Sequence, residues 1–148
     1  MIRRYSGTGS VIGGTNKTML RVGGTSGSKA TVYDIIVGSP SSPVDQAASI
    51  NVYRTSTAGT GSAVTPTELS TSGITASTPC AKTFTVEPAA TGSYLQFGMN
   101  AQVTFRWQTL PEEGITVDST GAADGVAIKT DSVSGGSQEY VATFLFTE

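Results

Sequence analysis

The side chains in this sequence that could do chemistry are few and scattered. Glu112 and Glu113 are adjacent in the turn Pro111-Glu112-Glu113-Gly114, shortly after the only tryptophan, Trp107. Two carboxyls could cleave a glycosidic bond if they faced each other across about 5 to 9 Å. Adjacent residues of a tight turn point in different directions, so this pair reads as a solvated hairpin turn bent by its Pro and Gly. Asp118, Asp124 and Asp131 lie close together in sequence, but they lack the alternating spacing and closing glutamate of a calcium loop. The run GTGSVIGG, residues 7 to 14, suggests a phosphate-cradling loop. Ile12, however, stands where the dinucleotide fingerprint needs its third glycine, and no Gly-Lys-Ser/Thr follows.

The chain contains no histidine, which removes the commonest general base and the commonest metal ligand. Lys17, Lys29, Lys82 and Lys129 all fall in expected strands. Cys80 is the single cysteine, so it forms no intrachain disulfide or thiolate metal cluster, and it is expected to be inert. No enzyme activity, cofactor or metal is expected. The most suggestive group is Arg3-Arg4-Tyr5, where two guanidinium groups and a ring could pair with carboxylates and stack on a partner.

Composition bounds the scaffold that must carry these residues. The 148 residues suffice for one domain with a real core. Only 14% of them are charged, about a quarter are Ser or Thr, and 18 are Gly, which is how an all-β chain with many turns reads. The net charge of -2 gives no reason to expect nucleic acid or membrane as a partner. The two arginines near the N-terminus are followed by no apolar segment, so no signal peptide is expected. A surface-protein composition without an export signal fits a protein released by lysis, as virion components are, or one trimmed of its signal.

Short alternating runs over 17–22, 29–38, 48–55, 63–69, 82–88, 93–100, 101–108, 115–117, 126–130 and 138–146 read as strands. No window has a helical period. The expected fold is therefore all-β, a single β-sandwich or jelly roll of about 8–10 strands over residues 17–148. Residues 1–16, rich in glycine, read as an extended N-terminal arm, mobile and dispensable for folding. In the strand at 29–38, Tyr33, Ile35 and Val37 are expected on one face, with Val32 and Ile36 flanking Asp34 on the other. The pair Val32 and Ile36 is too apolar for open water and is expected to be covered by the arm or by a neighbouring subunit. Phe105 and Trp107 are expected in the core, with Arg106 opposite.

The runs YDIIVGSPSSPVDQAASINVYRTSTAGTGSAVTPTEL, TFRWQTLPEEGITV and YVATFLFTE resemble small β-sandwich proteins of tailed-phage structural modules, among them capsid decoration (cement) proteins. The resemblance spans residues 29–148 and carries no catalytic motif. It implies a homotrimeric virion protein, made in the host cytoplasm, whose partner on the capsid surface is the major capsid protein. Within that reading Arg3, Arg4 and Tyr5 bind the capsid or a neighbouring subunit. The competing expectation is a carbohydrate- or receptor-binding module of a tail fibre or adhesin, which would need a groove of exposed aromatic rings.

Overall fold

A computed structural model of the chain describes residues 2–40, 42–118, 121–134 and 138–148. Met1 of the expected arm, 119–120 and 135–137 of two expected loops, and residue 41 of a third lie outside the described residues. The elements are all strands: β1 (Arg4–Ile12), β2 (Lys17–Gly23), β3 (Ala30–Gly38), β4 (Ala47–Thr55), β5 (Thr60–Val64), β6 (Thr67–Glu68), β7 (Cys80–Val86), β8 (Ala90–Asn100), β9 (Phe105–Gln108), β10 (Ile115–Val117), β11 (Gly125–Val133) and β12 (Glu139–Thr147). They form two antiparallel six-stranded sheets packed as a β-sandwich. The first sheet runs β10-β3-β12-β1-β6, with β9 beside β10 along the same edge of β3, and the second runs β5-β7-β2-β11-β4-β8.

Alternation supplies the core, as expected for strands with one face buried. Tyr140, Ala142, Phe144 and Phe146 of β12 point inward together with Ile35 and Val37 of β3. They meet Leu20 and Val22 of β2, Ile50 and Val52 of β4, and Val126 and Ile128 of β11.

The expected arm is instead a central part of this sheet. β1 pairs with β12 along its whole length, from Arg4 opposite Thr147 to Ile12 opposite Glu139. Gly9 is what lets the two sheets come together here. A Cβ on Gly9 would lie 2.0 Å from the Met19 carbonyl oxygen of the other sheet. The glycine content that suggests disorder is here the condition for close packing. Deleting residues 1–10 would therefore remove most of a central strand and not a loose end.

The two faces of β3 also depart from strict alternation. β12 pairs Leu145 with Asp34 and Phe146 with Val32, so Tyr33 is an extra, bulged residue. The bulge turns Val32 into the core, where it is fully buried, and it is not a subunit-interface residue. Ile36 does lie on the outer face, half-buried, across from Thr143 and Arg106. Asp34 is 1% exposed and is held on that face by Arg106, which donates from Nε to Oδ1 at 3.0 Å and from Nη2 to Oδ2 at 2.5 Å. This two-pronged pair fits a planar guanidinium to a carboxylate and explains an aspartate in mid-strand.

The alternation expected from Ala101 begins only at Phe105. Residues 101–104 form a turn closed by Asn100, whose carbonyl accepts from Val103 N at 3.0 Å and whose Oδ1 accepts from Gln102 N at 2.9 Å. The chain uses this turn to pass from β8 in the second sheet to β9 in the first. Within β9, Phe105 and Trp107 face the core side and Arg106 the opposite side, but both aromatic residues are only half-buried.

A candidate docking cleft at the start of the first strand

Arg3 and Arg4 are fixed by backbone pairing. Arg3 exchanges both of its hydrogen bonds with Glu148, each at 3.0 Å, which extends the β1–β12 ladder by one pair. On the far edge, Arg4 O accepts from Leu69 N at 2.8 Å, just beyond β6. Strand alternation then sends Arg4 outward and Tyr5 inward. Tyr5 is fully buried and stacks on Phe146 with centroids 5.7 Å apart, so it takes no part in a surface site.

Around the two arginines lies a cleft of about 700 Å³, walled by Ile2, Tyr33, Glu68, Leu69, Leu110 and Glu112. Four segments distant in sequence meet here: the start of β1, Tyr33 of β3, β6 with the loop after it, and the turn between β9 and β10. That turn is closed by Glu113 N donating to Leu110 O at 2.9 Å. It is tied to β3 where Thr109 N donates to Tyr33 O at 2.9 Å. The PEEG turn thus contributes Glu112 to the wall, while Glu113 is exposed outside it. Ile2, Leu69 and Leu110 are 59%, 50% and 64% exposed, an apolar surface left facing water.

Glu68 is engaged with its own loop. Its carboxylate accepts from Ser70 Oγ and Ser72 Oγ, each at 2.6 Å, and from Ile74 N at 2.8 Å. These bonds, the two serines first, bring its pKa down to about 2, with a smaller contribution from Arg3. Burial pushes the Tyr33 hydroxyl upward in pKa, and Arg4 opposes that shift. Neither Arg3 nor Arg4 makes an ion pair among the described residues. Both arginines therefore stand on a paired backbone with no ion pair to their side chains among the described residues.

The Glu68 geometry carries a pH signature. A carboxyl whose folded pKa is depressed contributes stability above its unfolded value of about 4.3 and loses it as pH falls through the folded value. The 68–74 loop should therefore hold its structure to well below pH 4 and loosen toward about pH 2. An NMR titration of the Glu68 side chain should place its midpoint near about 2; a midpoint at the ordinary glutamate value would mean the serine bonds do not form in solution.

The other chemistry-bearing residues do not converge. Asp118 pairs with Lys29 at 3.4 Å, Asp124 with Arg54 at 3.1 Å, and Asp131 with Lys129 at 3.1 Å. Among the described residues no three of His, Cys, Asp and Glu are grouped to hold a metal ion. Cys80 opens β7 and is buried, which pushes its thiol up to about 12 and keeps it out of thiolate chemistry. Sequence reasoning singled out Arg3 and Arg4 but missed Tyr33, Leu69 and Leu110, whose types alone signal nothing. Compared with known proteins, the chain matches no family model, no curated protein and no solved structure.

Proposed function

We propose that this protein is a non-enzymatic virion surface protein that docks on a phage capsid and stabilises it as a decoration (cement) protein. The observation that carries the reading is the cleft: two guanidinium groups without ion pairs, anchored on a central strand, beside three solvent-facing aliphatic side chains. That pairing of fixed charge with apolar surface suits a protein partner, because each arginine forms a strong carboxylate pair once the neighbouring aliphatic contacts exclude water. The sequence resemblance supplies the kind of partner, a major capsid protein on an assembled head. Many copies on one lattice would raise the net affinity even where each contact is weak.

The homotrimer implied by that resemblance no longer has Val32 and Ile36 behind it, because Val32 is in the core. The double substitution Arg3→Ala, Arg4→Ala is the direct test of the docking reading. Co-sedimentation with empty heads of the cognate capsid protein should weaken by at least about tenfold, because truncating charges in a desolvated contact is costly. The melting temperature should hardly change, since Arg4 is exposed and Arg3, half-buried at the end of the strand, is not part of the core. Undiminished co-sedimentation would move the binding surface elsewhere. Selective binding on a glycan array would instead favour a carbohydrate-binding module.

A further inference from the structure

The side of the sandwich formed by β8 and β9 is open in a way the other side is not. β8 ends the second sheet and pairs only with β4, so its other edge faces no strand among the described residues. Two bulges, at Thr91 and Tyr94, disturb its first half, while residues 95–100 run in regular register from Leu95 opposite Val52 to Asn100 opposite Ala47. The inner face of that regular segment presents Leu95 and Phe97, and across the gap the first sheet presents Phe105 and Trp107. All four are only half-buried. Phe97 stacks on Phe105 with centroids 3.6 Å apart, which joins the four into one apolar seam along the open side.

A soluble monomer ordinarily protects such an edge with lysine, proline or an inward charge. β8 has none of these, for its sequence ATGSYLQFGMN is uncharged from end to end, and its bulges, another such device, lie only in its first half. The remaining sheet margins are shorter: two residues in β6, three in β10, four in β9 and five in β5. β5 is uncharged too, but most of it is exposed and it presents no comparable apolar side chains.

We propose that the β8 edge and the Leu95-Phe97-Phe105-Trp107 seam form an interface for a second copy of this chain, paired β8 to β8 in antiparallel fashion about a twofold axis. Two features select a second copy. In a twofold contact each residue meets its own counterpart or a near neighbour, so any charge in the strand would meet a like charge; β8 contains none in any register. The same pairing lays the partner's Leu95 and Phe97 beside their counterparts, covering on both sides the apolar groups that one copy leaves half exposed. Backbone hydrogen bonds across the new edge provide direction, and the second sheets of the two copies become one continuous sheet. The interface is independent of the docking cleft, which lies at the start of β1.

Charge substitution tests this without touching the core. A side chain on Gly98 would meet nothing within 4 Å, so Gly98→Lys fits the folded chain. Gln96, exposed and hydrogen-bonded to Asp131 at 3.3 Å, accepts lysine equally well beside that carboxylate. The wild type should sediment as a dimer as its concentration rises from about 1 to about 100 µM, with Trp107 emission moving to shorter wavelength as the partner covers it. Gly98→Lys and Gln96→Lys should each weaken association by at least about tenfold and abolish the emission shift, with unchanged thermal melting showing that they fold. Ser62→Lys on β5 should leave both signals as in the wild type. A wild type that stays monomeric throughout, or folded β8 variants that associate as strongly as the wild type, would overturn the proposal.

Discussion

Gly9→Ala should destabilise this domain severely, while Gly7→Ala, two residues earlier on the same face of the same strand, should leave it intact. The methyl group added at position 9 would sit 2.0 Å from the Met19 carbonyl oxygen and 3.1 Å from Lys82 Cβ. Those neighbours belong to β2 and β7, the strands of the opposite sheet that β1 crosses. Relief therefore requires one whole sheet to move away from the other, which would loosen the packing of Leu20, Phe144 and their neighbours. The cost should reach the upper end of the overpacking range, about 3 kcal/mol or more. At Gly7 the added methyl would find Cys80 Sγ at 3.7 Å and Leu20 at 3.9 Å, ordinary contacts in a small gap. Alanine there also lowers the entropy of the unfolded chain, so Gly7→Ala should be neutral or stabilising by up to about 1 kcal/mol. Urea denaturation of the two variants gives the comparison. If residues 1–16 were a mobile arm, neither substitution would matter, and equal midpoints for both would revive that reading.

The contrast also shows where sequence reading stops. β2, β3, β4, β11 and β12 were legible because each is a short run rich in apolar or β-branched residues bounded by turn residues, and in β4 and β12 the alternation also fixes the buried face. β1 has the same alternation, but its inward positions are Tyr5, Gly7, Gly9 and Val11. Two of those four carry no side chain, so the period has almost no hydrophobic signal even though the strand is buried. The bulge at Tyr33 is illegible for a different reason. It exists because β12 pairs with both Asp34 and Val32, a partner choice made more than a hundred residues away. One extra residue reversed the side to which Val32 was expected to point.

The candidate cleft was legible only in part, and for a reason that proved mistaken. Arg3 and Arg4 drew attention as charges at the tip of a flexible segment. Their value lies instead in being held by the Glu148 pairing and by Leu69 N. Glu112, in the turn first weighed as half of a catalytic pair, reaches the same cleft because β9 and β10 both pair with β3. Which loops meet at the end of a sandwich depends on topology, and no local pattern in residues 67–74 or 109–113 encodes that meeting. Phe105 and Trp107 illustrate the same gap: their alternation gave the side they face, but their burial depends on how far the opposite sheet extends.

Arg21→Ala should cost about 3 kcal/mol or more, an effect that nothing in the local sequence announces. Arg21 lies in the middle of β2 on the outer face of the second sheet, yet it is only 4% exposed. Its strand neighbours on that face are Ala81 and Ala127, small enough for the long side chain to lie across the sheet. The guanidinium then fills slots beside Gly23 and Gly125, where an added Cβ would come within 2.5 Å of Nη1 and 2.9 Å of Nη2. Nη2 donates to the carbonyl oxygens of Ala122 at 2.6 Å and of Ala123 and Asp124 at 3.0 Å, while Nε donates to Thr55 Oγ1 at 3.2 Å. One buried cation thus gathers three carbonyl dipoles and seats the loop before β11 on the sheet. Burial without a carboxylate in hydrogen-bonding contact lowers its pKa, with desolvation the main cause, but a guanidinium stays charged throughout the working pH range. Removing it takes from Ala122 O its Arg21 donor, leaves Ala123 O to Thr55 Oγ1 and Asp124 O to Gly24 N, and empties the slot that the guanidinium fills in the sheet. Arg21→Met should lose nearly as much although it keeps the aliphatic stem. Arg21→Lys should recover less than half, because an ammonium cannot serve the three carbonyls and Thr55 together. Chemical denaturation gives the energies, and amide exchange at 121–125 should rise in the Ala and Met variants well before global unfolding. An alanine variant within about 0.5 kcal/mol of the wild type, the usual range for an incidental surface change, would mean that the loop is held by the Arg54–Asp124 pair and not by Arg21.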